Sequence, residues 1–182
     1  MSSNIFNIRE FGVVGDGKKK DTAAIQSAID ACAKAGGGTV YCPPGTYLIG
    51  TLVLKNRLTL HLESGCVLQG STDRADYPKE LGTPQPNVDS GDENNCFASI
   101  SPEHLIVAKN LEDVTITGGG RIDGNGDFFF GEFNPEVHYY TLPAKGWRPF
   151  RMMVFRECRN ITIEKVTITN SPAWTVWLSG CE

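Results

Sequence analysis

Two arginines and two tryptophans carry the clearest chemical signal in this chain. Trp147, Arg148 and Arg151 stand together in GWRPFR, and Trp174 follows in AWTVW beside Trp177. A planar indole can stack on a pyranose ring, and a guanidinium can hold a uronate carboxylate through two parallel hydrogen bonds. Trp147, Arg148, Arg151 and Trp174 are therefore the candidate substrate contacts, with Arg148 first among them. The alternative is architectural: the same side chains can anchor a loop to the structure beneath it.

Other constellations carry less. Asp123 and Asp127 in IDGNGDFFF are four apart, as an acid and base pair can be, but Gly124 and Gly126 beside them mark turn formers. Gly12–Lys18, GVVGDGK, fits the spacing of a phosphate loop, yet Lys19 stands where a magnesium-binding Ser or Thr is needed. Asp16 would also set a negative charge against the phosphates. His61, His104 and His138 are isolated and read as surface or satisfied structural groups. The six cysteines, at 32, 42, 66, 96, 158 and 181, form no CxxC and no pairing with His at metal-ligand spacing. No metal and no cofactor is called for. Cys158 and Cys181 read as reduced thiols stacked in a ladder, with a disulfide as the alternative.

Composition narrows the classes further. The chain has 182 residues, 40% hydrophobic and 21% charged, enough for a packed core. Its net charge of −4 is uneven: residues 73–103 hold seven acids, whereas 145–165 hold six bases against Glu157 and Glu164. The basic stretch can face an anion, or its members can be solvated outward positions of strands. Nucleic acid is not expected as a partner, because the balance is acidic and no basic helix is present. No apolar run reaches the ~20 residues that span a bilayer, so no membrane partner is expected. The opening MSSNIFNIREFG lacks a secretory signal, and as written the chain is expected in the cytoplasm.

These side chains need a frame, and the pattern supplies one. A helix is expected over about 21–35, with Asp21 as N-cap, Ile25, Ile29 and Cys32 as its apolar stripe, and Gly36, Gly37 and Gly38 at its end. From there the period is two. TVYCPPGTY, LTLHL, LIVA, VTITG, MMVF and ITIEKVTITN are short, β-branched and divided by Gly, Asn or Pro turns. NRLTLHLESGCVLQGS, NLEDVTITGGGRIDGNG and CRNITIEKVTITNSPAWTVWL share one grammar of strand, tight turn and strand. A self-similarity of roughly 20–25 residues marks an all-β, right-handed, single-stranded parallel β-helix, with the helix capping its N-terminal end. We expect one domain over 1–182: a cap over 1–40, then early coils over 41–182 with long loops at about 70–104 and 124–150. Phe155 and Cys158 recur as Leu178 and Cys181, 23 residues on, so Glu182 falls where Arg159 fell. The expectation is an N-terminal part of a longer protein, C-terminal coils missing, with self-association through the cut coil.

The opening FGVVGDGKKKDTAAIQSAIDACAKAGGGTVYCPPGTYLIGTLVLKNRLTLHLESGCVLQGS resembles the cap and first coils of pectin-lyase-like β-helix proteins. LIVAKNLEDVTITGGGRIDGNG and GWRPFRMMVFRECRNITIEKVTITNSPAWTVWLSGCE look like glycoside hydrolase family 28, the polygalacturonases and their relatives. The resemblance implies inverting hydrolysis of α-linked galacturonic acid in pectin or oligogalacturonides, in a family often secreted. It places the catalytic residues in N-T-D, D-D, G-H-G and R-I-K motifs, none of which occurs in this chain, so no catalytic residue is assigned. STDR at 71–74 lacks the Asn, and the role is not carried onto Asp73. The resemblance leaves open a non-catalytic alternative, a polysaccharide-binding or spike-like β-helix.

Overall fold

The computed structural model describes residues 4–81, 100–136, 139–140 and 147–182. The chain enters through β1 (Ile5–Asn7) and β2 (Asp16–Lys20), followed by the α-helix α1 (Thr22–Lys34). Four coils follow. The first is β3 (Gly38–Cys42), β4 (Gly45–Ile49) and β5 (Leu52–Val53), and the second is β6 (Leu58–Leu62), β7 (Cys66–Gly70) and β8 (Ile100–Lys109). The third is β9 (Glu112–Thr117), β10 (Arg121–Asp123), a small antiparallel ribbon of β11 (Phe133–Asn134) and β12 (Tyr139–Tyr140), and then β13 (Arg148–Arg156). The fourth is β14 (Arg159–Ile163), β15 (Thr167–Thr169) and β16 (Trp174–Ser179). Stacked, they make three parallel sheets: β1-β3-β6-β9-β14, β2-β4-β7-β10-β15 and β5-β8-β13-β16. This is a right-handed parallel β-helix with α1 packed over β1 and β3.

Alternation explains why the coils stack. In β6, Leu58, Leu60 and Leu62 are buried while Thr59 and His61 are half-buried, the period of a strand with one face in a core. Register then puts like on like. Val40, Leu60, Ile116 and Ile163 form one apolar column, and Leu52, Ile106, Met153 and Val176 form another. Each fully buried leucine or isoleucine in such a column contributes about 1.5–3 kcal/mol. Phe155 pairs with Leu178 in the ladder of β13 and β16, which is the 23-residue repeat seen in the sequence.

The cap follows its sequence pattern with one difference. Ile25, Ala28, Ile29 and Cys32 are fully buried, at helical spacing. Gly36 adopts φ +88°, its N–H bonds Ala33 O, and the Gly37 N–H bonds Cys32 O, a left-handed termination of the helix. Asp21 does stand at the N-cap position, but its carboxylate bonds nothing in the helix. Instead it accepts the N–H groups of Val14 (2.8 Å) and Gly15 (2.9 Å), and it is 1% exposed. The carboxylate thus clamps the turn before β2 rather than the helix end.

Extra chain enters at one corner only, between the second and third sheets. There the first coil has residues 50–51 and the fourth 170–173, whereas the second holds 71–99 and the third 124–147. The strand β8 begins at Ile100, inside the stretch expected as loop to 104, because Pro102 reads as a breaker although it is tolerated at an irregular strand start. Cys32, Cys42, Cys66, Cys158 and Cys181 are free thiols, and burial pushes the Cys158 thiol up. Cys96 lies outside the described residues.

Candidate sugar-binding corner

The four nominated residues all reach this corner, where β13 and β16 begin, but in different environments. Trp147, 9% exposed, is enclosed edge-on by Phe129 (centroids 5.1 Å) and Tyr77 (5.5 Å), with the Arg74 guanidinium 5.8 Å from its ring. Tyr77 is itself buried, and its hydroxyl donates to Ser71 O at 2.6 Å. Trp147 thus pins the segments around 71–77 and 126–130 to the solenoid, and its ring has little surface left for a sugar. Arg148 is 8% exposed. Its Nη1 donates to Pro172 O at 3.0 Å and its guanidinium lies 5.2 Å from the Phe130 ring, tying the third coil to the turn of the fourth.

Trp174 is the most exposed of the four, and Arg151, the most buried, lies against it. They are register partners in β13 and β16. The Arg151 guanidinium lies 4.1 Å from the centroid of Trp177 and 5.4 Å from that of Trp174, close enough for cation–π attraction to both. Trp174 is 50% exposed, whereas Arg151 is 5% exposed. A buried cation is therefore held against two indoles of the last strand. Burial draws the guanidinium down from its ordinary value, and arginine nonetheless stays charged at any working pH.

Several neighbours were not singled out by the sequence. Glu103 is fully buried in β8, and its Oε1 accepts from Arg74 at 3.3 Å. Its Oε2 has no hydrogen-bond partner among the described residues. His104 is 1% exposed, and its Nδ1 lies 2.9 Å from Arg151 O, so that nitrogen carries the proton. Desolvation, the largest cause, lowers its pKa from 6.5 to about 4, and the nearby Arg151 charge acts in the same direction. Thr51 Oγ1 donates to His104 O at 2.6 Å. The available signal for this cluster was Pro102 and Pro149, which mark irregular pairing in otherwise apolar strands.

Other carboxylates at this corner serve structure. Lys20 Nζ bridges Asp73 (2.8 Å) and Asp76 (2.9 Å), Asp123 accepts the Asn125 N–H, and Asp127 accepts from Asn170. The last two agree with the turn-forming reading of Asp123 and Asp127. His61 sits elsewhere, stacked on Tyr41 across the first sheet, and His138 lies outside the described residues. Among the described residues no group of three His, Cys, Asp or Glu is placed to hold a metal ion. No helix of the described residues is long and apolar enough to cross a membrane.

Known proteins place the chain. The family model described as "Rhamnogalacturonase A/epimerase, pectate lyase-like" matches residues 5–95. A probable polygalacturonase of Vitis vinifera is 34% identical over 171 residues, covering 92% of this chain and 32% of that protein. An exo-poly-alpha-D-galacturonosidase of Dickeya chrysanthemi is 36% identical over 130 residues, covering 67% of this chain and 20% of that protein. The chain thus spans a third or less of the length of these relatives. The family 28 exopolygalacturonase of Yersinia enterocolitica superposes with a TM-score of 0.70 at 26% identity, over 99% of this chain and 38% of that one. Cap helix, three-sheet coil and sequence agree: the chain belongs to the rhamnogalacturonase A/epimerase, pectate lyase-like family, and it is similar to polygalacturonases, a family 28 exopolygalacturonase among them.

Proposed function

We propose that this chain forms the cap and early coils of a glycosidase acting on polymers of α-linked galacturonic acid, and that its insertion corner holds a uronate residue of the substrate. The observation that carries this reading is the Arg151 guanidinium held against the rings of Trp174 and Trp177. The indole face stacks on the apolar face of the pyranose, and the guanidinium edge meets the 6-carboxylate. In this reading Arg148 and Trp147 keep the platform in place. The relatives' names, polygalacturonase and galacturonosidase, support the substrate class.

Inverting hydrolysis requires a general acid and a general base about 6.5–9.5 Å apart across the glycosidic bond. Glu103, Asp73, Asp76, Asp123 and Asp127 are engaged as described above, and none is assigned either role. The chain of 182 residues is therefore expected to bind without cleaving.

Calorimetric titration with trigalacturonate and with neutral galactotriose, alongside a reducing-end assay on polygalacturonate, tests both halves. Binding that prefers the uronate, lost in Trp174→Ala and stripped of its preference in Arg151→Ala, is the expected result. Equal affinity for both sugars in the native chain would overturn the site, and catalytic release of reducing ends would overturn the division of labour.

A further inference from the structure

The ladder between β8 and β13 slips beside Arg151. Arg148 pairs with Ile100 and Pro149 with Ser101, but Arg151 pairs with His104, two steps on one strand against three on the other. An extra residue on one strand bends a ladder and re-aims the side chains next to it. Pro102 and Pro149 both fall at this slip, and proline has no N–H to give. Backbone carbonyls at this level therefore lack part of their usual supply of ladder donors.

Side chains step in where the prolines leave gaps. The first-coil strand begins only at Leu52, and Thr51 Oγ1, just before it, donates to His104 O at 2.6 Å. His104 Nδ1–H in turn donates to Arg151 O at 2.9 Å. The result is a relay across the stack: Thr51 in the first coil, His104 in the second, Arg151 in the third and Trp174 in the fourth. His104, Arg151 and Trp174 are at the same level of the third sheet, one rung of roughly 4.8 Å from the next, and Thr51 reaches His104 O from just before the first-coil strand.

We propose that His104 is the positioning residue of the sugar-binding corner: by bonding the Arg151 carbonyl across the register slip, its imidazole sets the direction in which the Arg151 guanidinium leaves the strand, between Trp174 and Trp177. The inference rests on the reading of Arg151 and Trp174 as the uronate contacts. His104 touches no ligand itself. A neutral ring suits this task, since a second cation beside Arg151 would push the guanidinium away. Among the described residues, Glu103 on its own strand and Arg151 on the adjoining one act on its protonation.

The experiment compares His104→Leu, His104→Asn and His104→Gln in the full chain, with Arg151→Ala as reference. The Asn amide nitrogen sits near the place of Nδ1 and the Gln amide nitrogen near that of Nε2, so Asn keeps the donor and Gln misplaces it. The readouts are the Kd for trigalacturonate and the tryptophan emission spectrum, taken well below the melting temperature. The expected result is a roughly tenfold or larger rise in Kd with a shifted emission for Leu and Gln, and near-native values for Asn, in keeping with the loss of a hydrogen bond that orients a charged group. If the Leu variant does not fold, the contrast of Asn with Gln decides alone. Unchanged Kd and emission in the Leu or Gln variants, with Arg151→Ala still losing affinity, overturns the positioning role but leaves the uronate site standing. No loss in Arg151→Ala overturns both.

Discussion

Asp21→Ser separates two roles for a single carboxylate. A serine is as good an N-cap as an aspartate, so if Asp21 served the helix the substitution would change stability by only a few tenths of a kcal/mol. The structure gives the carboxylate to the N–H groups of Val14 and Gly15 instead, at 2.8 and 2.9 Å, in a side chain 1% exposed. Hydrogen bonds to a charged acceptor contribute about 1.5–3 kcal/mol each. The shorter serine side chain reaches at most one of the two donors and leaves the other without its acceptor. A loss of about 3 kcal/mol is expected, which for a chain of this size lowers Tm by about 10 °C. Urea titration of both proteins, followed by circular dichroism, gives the free-energy difference directly. A loss below about 1 kcal/mol would return Asp21 to the helix and refute the argument.

Two further outcomes follow from other parts of the fold. The pKa of His104 falls from 6.5 to about 4 on folding, so the unfolded chain binds the extra proton between those values. Stability from this group is complete above pH 6.5 and is lost as the pH falls towards 4, by roughly 3 kcal/mol in all; His104→Asn should flatten that part of a urea-midpoint profile against pH, and an unchanged slope would count against a buried neutral ring. Gly50→Ala places a Cβ 2.2 Å from Asp76 O and 2.6 Å from the Asp76 Cβ, where backbone must move, and should cost about 1–3 kcal/mol by thermal melting; a melt indistinguishable from the native one would show that the segment around Asp76 moves aside freely.

The sequence was most informative where one residue's environment repeats every coil. Leu58, Leu60 and Leu62 alternate with polar neighbours, and Phe155 and Leu178 sit one repeat apart and do pair, so the solenoid could be read from local pattern. The stripe of Ile25, Ile29 and Cys32 was legible for the same reason. Asp21 was not, because a helix N-cap and a turn clamp use the same residue type, and only the path of the preceding chain tells them apart. The sequence leaves Trp147 open between a stacking ring and a loop anchor, because its burial under Tyr77 and Phe129 depends on segments that return from 50 and more residues earlier and from just before it. In sequence His104 is a lone histidine, legible only as a surface or satisfied structural group. Its place became visible only when the register of β8 on β13 showed that two prolines had removed donors at the same level.

The confinement of every insertion to one corner bears on how readily such a chain can diversify. Closing a longer excursion costs about (3/2)RT ln n, so growing a corner from the two residues 50–51 to the twenty-nine residues 71–99 costs only about 2 kcal/mol of chain entropy. The rungs on either side keep their pairing whatever that length is: β4 stacks on β7 and β7 on β10 in unbroken register although 50 residues separate the last two. The length of an excursion and the pairing of the rungs are thereby set independently. Beyond the segments that Tyr77, Phe129 and Trp147 anchor in the core, the excursions at this corner can vary in length at little cost in chain entropy, while the columns of Leu, Ile and Val that hold the solenoid together stay as they are.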